Sequence, residues 1–398
     1  MFPTRSTVPA MRRLGLLLRG PRFPAVLLLA AAALGIVLAN TPPADVLFTA
    51  QGARLGLPGT PFSLTVGQWI ADGLLCVFFF TVAVELQVEL TAGELRSGRR
   101  AVLPALAAAG GVVAPILIYL AVAGPGLARG WPVPTATDIA FALGVLAVFG
   151  RGMSPALRVF LLALAILDDV IGIVFIGVLF AHDVNIVLFG LALVPVAGLG
   201  ALSRAAAGRR RGLVTAAMIA LAVAAWALVL ASGVHATIAG VLLGLAIAQQ
   251  PGLRARHALE PWVNGAILPV FALSAALVTI PSVGAGSLSP VFWGMLIALP
   301  VGKLVGIAGA GWIAQRALRV RTEDRHPVGD LVAAGALGGI GFTVSLLLAE
   351  LAFAGDDALG DQAVLGVLGG SAVSLLAAAI VVSWRARVQR ARKGEGAE

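Results

Sequence analysis

The sequence predicts an all-α polytopic membrane protein, and three observations lead to this prediction. Of the 398 residues, 59% are hydrophobic and 12% are charged, whereas soluble domains carry about 25% charged residues. Apolar runs long enough to cross a bilayer as helices recur along the chain. Within these runs the character of the residues does not alternate, as it would in the strands of a membrane barrel.

Twelve apolar segments fit as helical spans. The N-terminal segment is basic, but the apolar run after it has no clear cleavage site, so we interpret it as a retained first span. Every connection is short, which predicts a single integral membrane domain over residues 1–398. The approximate bounds of the spans are 23–39, 67–90, 101–123, 136–149, 157–181, 186–203, 212–231, 234–249, 261–280, 290–315, 329–353 and 362–384.

The net charge of +9 predicts an orientation in the membrane rather than a nucleic-acid partner. With the N-terminus in the cytoplasm, the spans leave only Arg54 and Arg129 in outside loops, and Lys303 lies within a span. All other lysines and arginines then fall on the cytoplasmic side, as the positive-inside rule requires. We therefore expect both termini to be cytoplasmic and some of the basic residues to contact anionic lipid.

The longest outside connection runs from residue 40 to residue 65. Its second half, residues 53–65, has β-type residues on both sides of Pro58-Gly59. This pattern predicts a small extracellular hairpin, whose edge can pair with a second copy, although a plain surface loop is the alternative. Cys76, the only cysteine, lies inside a span, so we expect a small core residue and no disulfide framework.

Two spans are interrupted by turn-forming residues. The span at 136–149 follows two prolines and opens with Thr137-Asp138, and the span at 329–353 contains four glycines between Gly335 and Gly341. Each is the central member of a triplet of spans. The triplets, about 101–181 and 290–384, run in opposite directions. This pattern predicts an inverted repeat with two broken, crossing helices and an ion site near the bilayer midplane, although glycines alone can also serve close packing.

Two adjacent acids, Asp168 and Asp169, are the only charged residues between Val159 and Phe180. Lys303 lies at the middle of another span. Ionisable groups at this depth are costly and usually functional. Neighbours on a helix point about 100° apart, so one acid can face an aqueous funnel while the other faces a helix. A site that holds either a proton or a hard cation is the minimum for exchange; an ion pair that only joins helices is the alternative.

Thr137 and Asp138 open the interrupted span and add to this candidate site. If both central helices are broken, their half-helix ends face each other with partial charges that need compensation. Asp138 would offset converging N-termini, and Lys303 would offset converging C-termini. Asp138 as an ordinary N-cap at the start of a helix is the competing interpretation.

Span 2 carries acids at both of its ends. Glu85 and Glu89 share one face near its predicted cytoplasmic end, and Asp72 lies near the other. They indicate either a solvated helix end or a negative mouth that gathers cations and responds to pH. His235 opens the eighth span on the outside; it is either a packed histidine or a further pH-responsive group.

These residues together resemble the NhaA family of bacterial sodium/proton antiporters, over about residues 22–383. The resemblance rests on an ordered set of stretches: Trp69-Ile70-Ala71-Asp72, Val84-Glu85 with Glu89, Pro134-Thr135-Ala136-Thr137-Asp138, Leu167-Asp168-Asp169, Gly233-Val234-His235, Gly302-Lys303 and Gly339-Ile340-Gly341-Phe342-Thr343.

The resemblance implies electrogenic, pH-regulated exchange of Na⁺ or Li⁺ for H⁺ in the bacterial inner membrane, by a homodimer that needs no cofactor. Asp169 would be the main cation ligand, and Asp168 would assist and pair with Lys303 in one state. The residues alone leave two alternative functions open. A Na⁺-coupled symporter of an organic anion would use a similar scaffold, and an intramembrane aspartyl protease would use Asp138 with Asp169, although a nearby lysine opposes a shared proton.

The sequence departs from the family pattern near the expected pH-sensing residues. Gln87 and Val88 stand where the family usually has basic residues, and Arg256 stands where it usually has an acid, with Glu260 following. In span 9, residues 273–277 replace a stretch that contains asparagine in the family. The first two changes concern the pH response and leave the predicted exchange residues intact.

Overall fold

A computed structural model describes residues 22–92, 98–180, 184–205, 211–280, 288–321 and 325–394. The predicted cytoplasmic N-terminal segment before residue 22 and the last four residues lie outside the described residues. The helices are α1 Arg22–Ala39, α2 Ala44–Gly52, α3 Val66–Thr91, α4 Gly98–Ala123, α5 Ile139–Phe149, α6 Pro155–Leu179, α7 Ile186–Ala205, α8 Arg211–Ala231, α9 Thr237–Ala246, α10 Gln249–Ala275, α11 Pro290–Ala317, α12 Val328–Gly338, α13 Phe342–Ala352 and α14 Asp357–Gly394.

Eight helices among the described residues are long and apolar enough to cross a bilayer. The number becomes ten if each of two bent pairs counts as one span. The pairs are α1 with α2, bent by 110°, and α12 with α13, bent by 49°. The predicted class, a polytopic helical membrane protein, is therefore confirmed.

The predicted spans differ from the helices in three places. The spans at 136–149 and 234–249 contain helices of only 11 and 10 residues, α5 and α9. Residues 250–260, expected to form a polar loop, lie in the first part of α10. Pro261, whose nitrogen cannot donate a hydrogen bond, is followed by a wide π turn over Val263–Ile267, and the helix continues to Ala275. Polarity alone therefore gave the wrong boundary.

A two-stranded antiparallel hairpin precedes α3. Strand β1, Arg54–Leu55, pairs with β2, Leu64–Thr65, so that Arg54 lies opposite Thr65. Thr65 then caps α3, since its hydroxyl accepts a hydrogen bond from the backbone of Gln68 while the Gln68 side chain accepts one from the Thr65 backbone. The hairpin thus ends directly at the entrance to the second apolar segment.

Close contact between α4 and α11 brings Lys303 into the core. Gly110 and Gly306 face each other, and a Cβ added at either would collide with the carbonyl group of the other. Small residues allow two helix backbones to approach in this way within a membrane. Lys303, one turn before Gly306 on α11, is fully buried. Cys76 on α3 is also buried and packs in an apolar cluster with α9.

Candidate functional site

Asp168 and Asp169 lie at the middle of α6, and both are buried, with 1% and 5% of their surface exposed. The helix begins with a Ser154 cap and Pro155 in its first turn, a local sequence that favours helix initiation. Because neighbours on a helix diverge, the two carboxylates have different surroundings. Asp168 faces α11, and Asp169 lines a cavity.

Asp168 forms a buried ion pair with Lys303. The Nζ atom of Lys303 lies 2.6 Å from Oδ2 of Asp168, and neither side chain is exposed. The same Oδ2 atom lies 2.7 Å from the Thr137 hydroxyl, which also lies 2.8 Å from the Gly338 carbonyl oxygen. One hydroxyl hydrogen serves only one of these acceptors at a time. Oδ1 of Asp168 has no hydrogen-bond partner among the described residues.

The chain is non-helical before α5 and between α12 and α13. A 3₁₀ turn over Val133–Thr135 leads through extended backbone to α5 at Ile139. The two irregular segments touch, since the backbone N–H of Asp138 donates to the carbonyl oxygen of Ile340 at 2.6 Å. At Gly339 a Cβ would lie 2.6 Å from Oγ of Ser374 on α14 and 3.0 Å from the carbonyl oxygen of Leu299 on α11, so this turn leaves little room for a side chain.

Asp138 caps two helices at once. Its Oδ1 atom accepts a hydrogen bond from the backbone N–H of Phe141 at 3.1 Å, in the first turn of α5. Its Oδ2 atom accepts from the backbone N–H of Thr343 at 3.3 Å and from the hydroxyl of the same residue at 2.7 Å, in the first turn of α13. The same carboxylate is therefore the N-cap of α5 and a hydrogen-bond acceptor at the start of α13.

Asp169 lies on a cavity of about 250 Å³. The charged groups around Asp169 include three carboxylates, Asp168, Asp138 and Glu85, and one ammonium, Lys303. A carboxylate in this surrounding attracts a proton or a metal cation strongly. The polar and charged side chains that line the cavity are Thr81, Glu85, Thr137, Asp138, Asp169, Arg256, Glu260, Asn264 and Thr343.

The acids of α3 lie in two separate places. Glu85 lines the cavity and pairs with Arg256, whose Nη2 atom lies 2.9 Å from Oε2 of Glu85. Glu89, one turn further, is half-buried and is not part of the cavity wall. Gln87 donates to the carbonyl oxygens of Leu245 at 2.8 Å and Ile247 at 2.7 Å, and so ties α3 to the end of α9.

Asp72 and His235 meet near the other end of α3, and neither lines the cavity. Nδ1 of His235 lies 2.8 Å from Oδ1 of Asp72, with side chains 16% and 14% exposed. The indole nitrogen of Trp226 donates to the Asp72 carbonyl oxygen at 3.1 Å, and its ring stacks on Trp69. His235 is therefore largely buried beside a carboxylate, although the two facing atoms do not form a hydrogen bond.

Two charged features escaped the sequence analysis. Asp330 at the start of α12 forms a buried ion pair with Arg385 of α14, with 2.6 Å between Oδ1 and Nε, and the Gln389 amide donates to the same carboxylate. Glu350 lies on α13 and interacts electrostatically with Asp72. Both acids fall inside the predicted span 329–353, and acids within spans were the signal that identified Asp168.

The fold and this site define a class: a multi-pass membrane transporter with paired acids in its core. The model of the family described as Na⁺/H⁺ antiporter 1 matches residues 17–382. The chain belongs to this family.

Curated relatives named as Na(+)/H(+) antiporters match this sequence over nearly its whole length. Na(+)/H(+) antiporter NhaA 2 of Clavibacter michiganensis is 52% identical over 389 residues, covering 96% of this chain and 94% of the relative. Na(+)/H(+) antiporter NhaA of Tropheryma whipplei strain Twist is 44% identical and covers 92% of this chain and 94% of its own length. Na(+)/H(+) antiporter NhaA of Arthrobacter sp. strain FB24 is 39% identical, and the match covers 97% of this chain and 88% of the relative. The predicted family is confirmed, and the chain is a transporter rather than an enzyme.

Proposed function

We propose that this chain exchanges Na⁺ for H⁺ across the membrane with Asp169 as the main ligand of both ions. Family membership makes Na⁺ and H⁺ the transported ions. The observation that supports Asp169 is its place on the cavity wall, within the field of three other carboxylates, while Asp168 is already paired with Lys303. The symporter and protease alternatives find no support in the relatives.

Exchange follows from competition for the same oxygen atoms. A deprotonated Asp169 is a hard anionic ligand that suits Na⁺ or Li⁺, whereas a protonated Asp169 has lost this charge. Thr137, Asp138 and Asp168 supply further oxygen atoms nearby. Because the site holds a cation or protons but never both, each turnover that carries Na⁺ one way carries H⁺ the other way.

Lys303 compensates charge in this cycle. In the described state it neutralises Asp168. When Asp168 turns towards a bound cation, the ammonium of Lys303 loses its partner and becomes a site from which a proton can leave. Release of protons from more than one group would make exchange electrogenic.

The crossed, broken helices position the site. The irregular segments before α5 and between α12 and α13 are the interruptions of the fourth and eleventh of twelve spans, in inverted triplets about 101–181 and 290–384 within one domain, residues 1–398. Their contact through Asp138 and Ile340 supports this assignment. Movement of this crossing relative to the rest of the helices would expose Asp169 to each side of the membrane in turn.

Charge asymmetry orients the transporter in the bacterial inner membrane with both termini cytoplasmic. The cavity with Glu85 then opens to the cytoplasm, where Glu85 and Glu89 gather cations and respond to pH. Asp72 and His235 lie towards the outside, as does the hairpin over residues 53–65, which would link two copies in a homodimer. Anionic lipid would contact the cytoplasmic arginines.

Purified protein in liposomes tests this function. With a pH-sensitive dye inside, addition of external NaCl should drive proton efflux, and choline chloride should not. No organic solute is present, so a solute symporter would give no signal. Proton movement that is the same with Na⁺ and choline would contradict the proposal, as would Na⁺-driven flux that survives in Asp169→Asn.

A further inference from the structure

We propose that Arg256 sets the affinity of the site for the transported cations. Its fixed positive charge on the cavity wall weakens the attraction of Asp169 for Na⁺ and H⁺ alike. This inference rests on the proposed function. It gives a residue outside the ligand set the role of setting the affinity for Na⁺.

The geometry places Arg256 where a charge affects the site. Arg256 on α10 and Glu85 on α3 pair at 2.9 Å, and both line the cavity on which Asp169 lies. Their side chains are 26% and 34% exposed. The pair therefore lies at the more exposed part of the cavity wall, whereas Asp169 itself is buried.

The charges of the cavity wall show what the pair does. Among the described lining residues, Asp138, Asp169, Glu85 and Glu260 are acidic, and Arg256 is the single basic residue. Glu85 is one of the carboxylates that act on Asp169. By pairing with Glu85, Arg256 offsets part of this field. A guanidinium group does not lose its proton at any working pH, so the offset persists across the whole activity range.

Removal of this charge has a distinctive consequence, because Na⁺ and H⁺ compete. A more negative field raises the affinity of Asp169 for both cations by the same factor. Where the site is mostly deprotonated, the KM for Na⁺ falls by that factor. Where it is mostly protonated, the gain for Na⁺ is cancelled by tighter proton binding if one proton competes, and is more than cancelled if two compete.

The test measures the KM for Na⁺ against pH in liposomes for full-length Arg256→Gln and wild type. We expect the alkaline plateau of KM to fall by roughly three- to tenfold, as for one charge acting through a partly solvated cavity. The midpoint between acid limb and plateau should move up by about 0.5–1 pH unit, the logarithm of that factor. Inert salt should reduce the difference, because it screens exposed charges.

Matched variants separate charge from structure. Arg256→Lys keeps the charge and should stay near the wild-type plateau. Arg254→Gln removes an exposed arginine from the same helix, outside the cavity wall, and should change nothing. Glu85→Gln should raise the plateau KM, and the double variant Glu85→Gln/Arg256→Gln should return towards wild type.

An unchanged or higher plateau KM in folded Arg256→Gln would overturn the inference, as would an equal fall in Arg254→Gln. If Arg256→Gln does not fold, the Glu85→Gln variant provides the test. A plateau KM for Na⁺ that does not rise in Glu85→Gln would then contradict the proposed role of Arg256. Wild-type liposomes without Na⁺-driven proton flux would contradict the proposed function itself. Normal wild-type exchange with an unresponsive plateau would contradict only the role of Arg256.

Discussion

Lys303 and Asp168 are joined at 2.6 Å in the core, and both side chains are completely buried. A buried pair contributes little net stability over apolar residues of the same volume, but removal of one partner leaves a charge without compensation. The pair therefore links the stability of the protein to its charge state. It also separates the roles of the two adjacent acids, because Asp168 is occupied by Lys303 while Asp169 is not.

Lys303→Ala should lower the stability by about 3–5 kcal/mol, because Asp168 is left buried and unpaired. A lower melting temperature in detergent and an altered pH profile of exchange would show this. The double variant Lys303→Ala/Asp168→Ala should recover much of the lost stability, since it removes both charges. Unchanged melting together with an unchanged pH profile would remove Lys303 from the mechanism.

Asp169→Asn should abolish exchange while the protein folds and inserts. Asparagine keeps the shape and one oxygen atom but carries neither the charge nor the transported proton. Asp168→Asn should also cripple exchange, with an additional loss of stability. Asp45→Asn, an exposed acid in the first turn of α2, is the matched control and should behave as wild type. Retention of more than roughly half the wild-type turnover in Asp169→Asn would refute the site assignment.

Asp138→Ala should destabilise the crossing of the two broken helices. The variant removes the acceptor for both Phe141 and Thr343, and loss of one N-cap costs about 1 kcal/mol. We expect a loss of about 2 kcal/mol together with a large loss of exchange. Asp138→Asn keeps an oxygen acceptor and should recover part of the stability without exchange. If Asp138→Ala melts and transports as wild type, the capping role is wrong.

The orientation in the membrane can be tested at the hairpin. Leu57, between the two strands, is 67% exposed. Cys76 is the only cysteine and is buried, so Cys76→Ser gives a background free of cysteine. Leu57→Cys in that background should react with an impermeant thiol reagent added outside intact cells. Labelling that requires access from the cytoplasmic side would reverse the proposed topology.

Charges in long apolar runs identified Asp168, Asp169 and Lys303, and the Thr137-Asp138 pair identified the interruption. The burial of these charged residues in the core agrees with their places in apolar runs. The runs themselves did not show which of the two acids faces Lys303, and only the resemblance to the family implied that it is Asp168. Rotation of α6 about its own axis decides which acid faces Lys303, and this rotation depends on packing against several helices at once. Periodicity within one segment does not contain that information.

Long-range ion pairs were beyond the sequence for a related reason. Asp330 and Arg385 are 55 positions apart, and each looks like an ordinary charge at the end of a span. The pairing of Glu85 with Arg256 depends on residues 250–260 being helical, where polarity had predicted a loop. In each case one charge is visible in the sequence, but the partner is chosen by tertiary packing.

Competition between Na⁺ and H⁺ gives the most general prediction. If Na⁺ binds only to deprotonated carboxylates, each pH unit below their pKa costs about 1.4 kcal/mol, or tenfold in affinity, for each proton that must leave. The apparent KM for Na⁺ should therefore rise at least tenfold per pH unit on the acid limb and become constant at high pH. High Na⁺ should shift the activity profile to lower pH without a separate sensor. Measurement of KM across a pH series in liposomes tests this, and a KM independent of pH on the acid limb would exclude competitive exchange at Asp169.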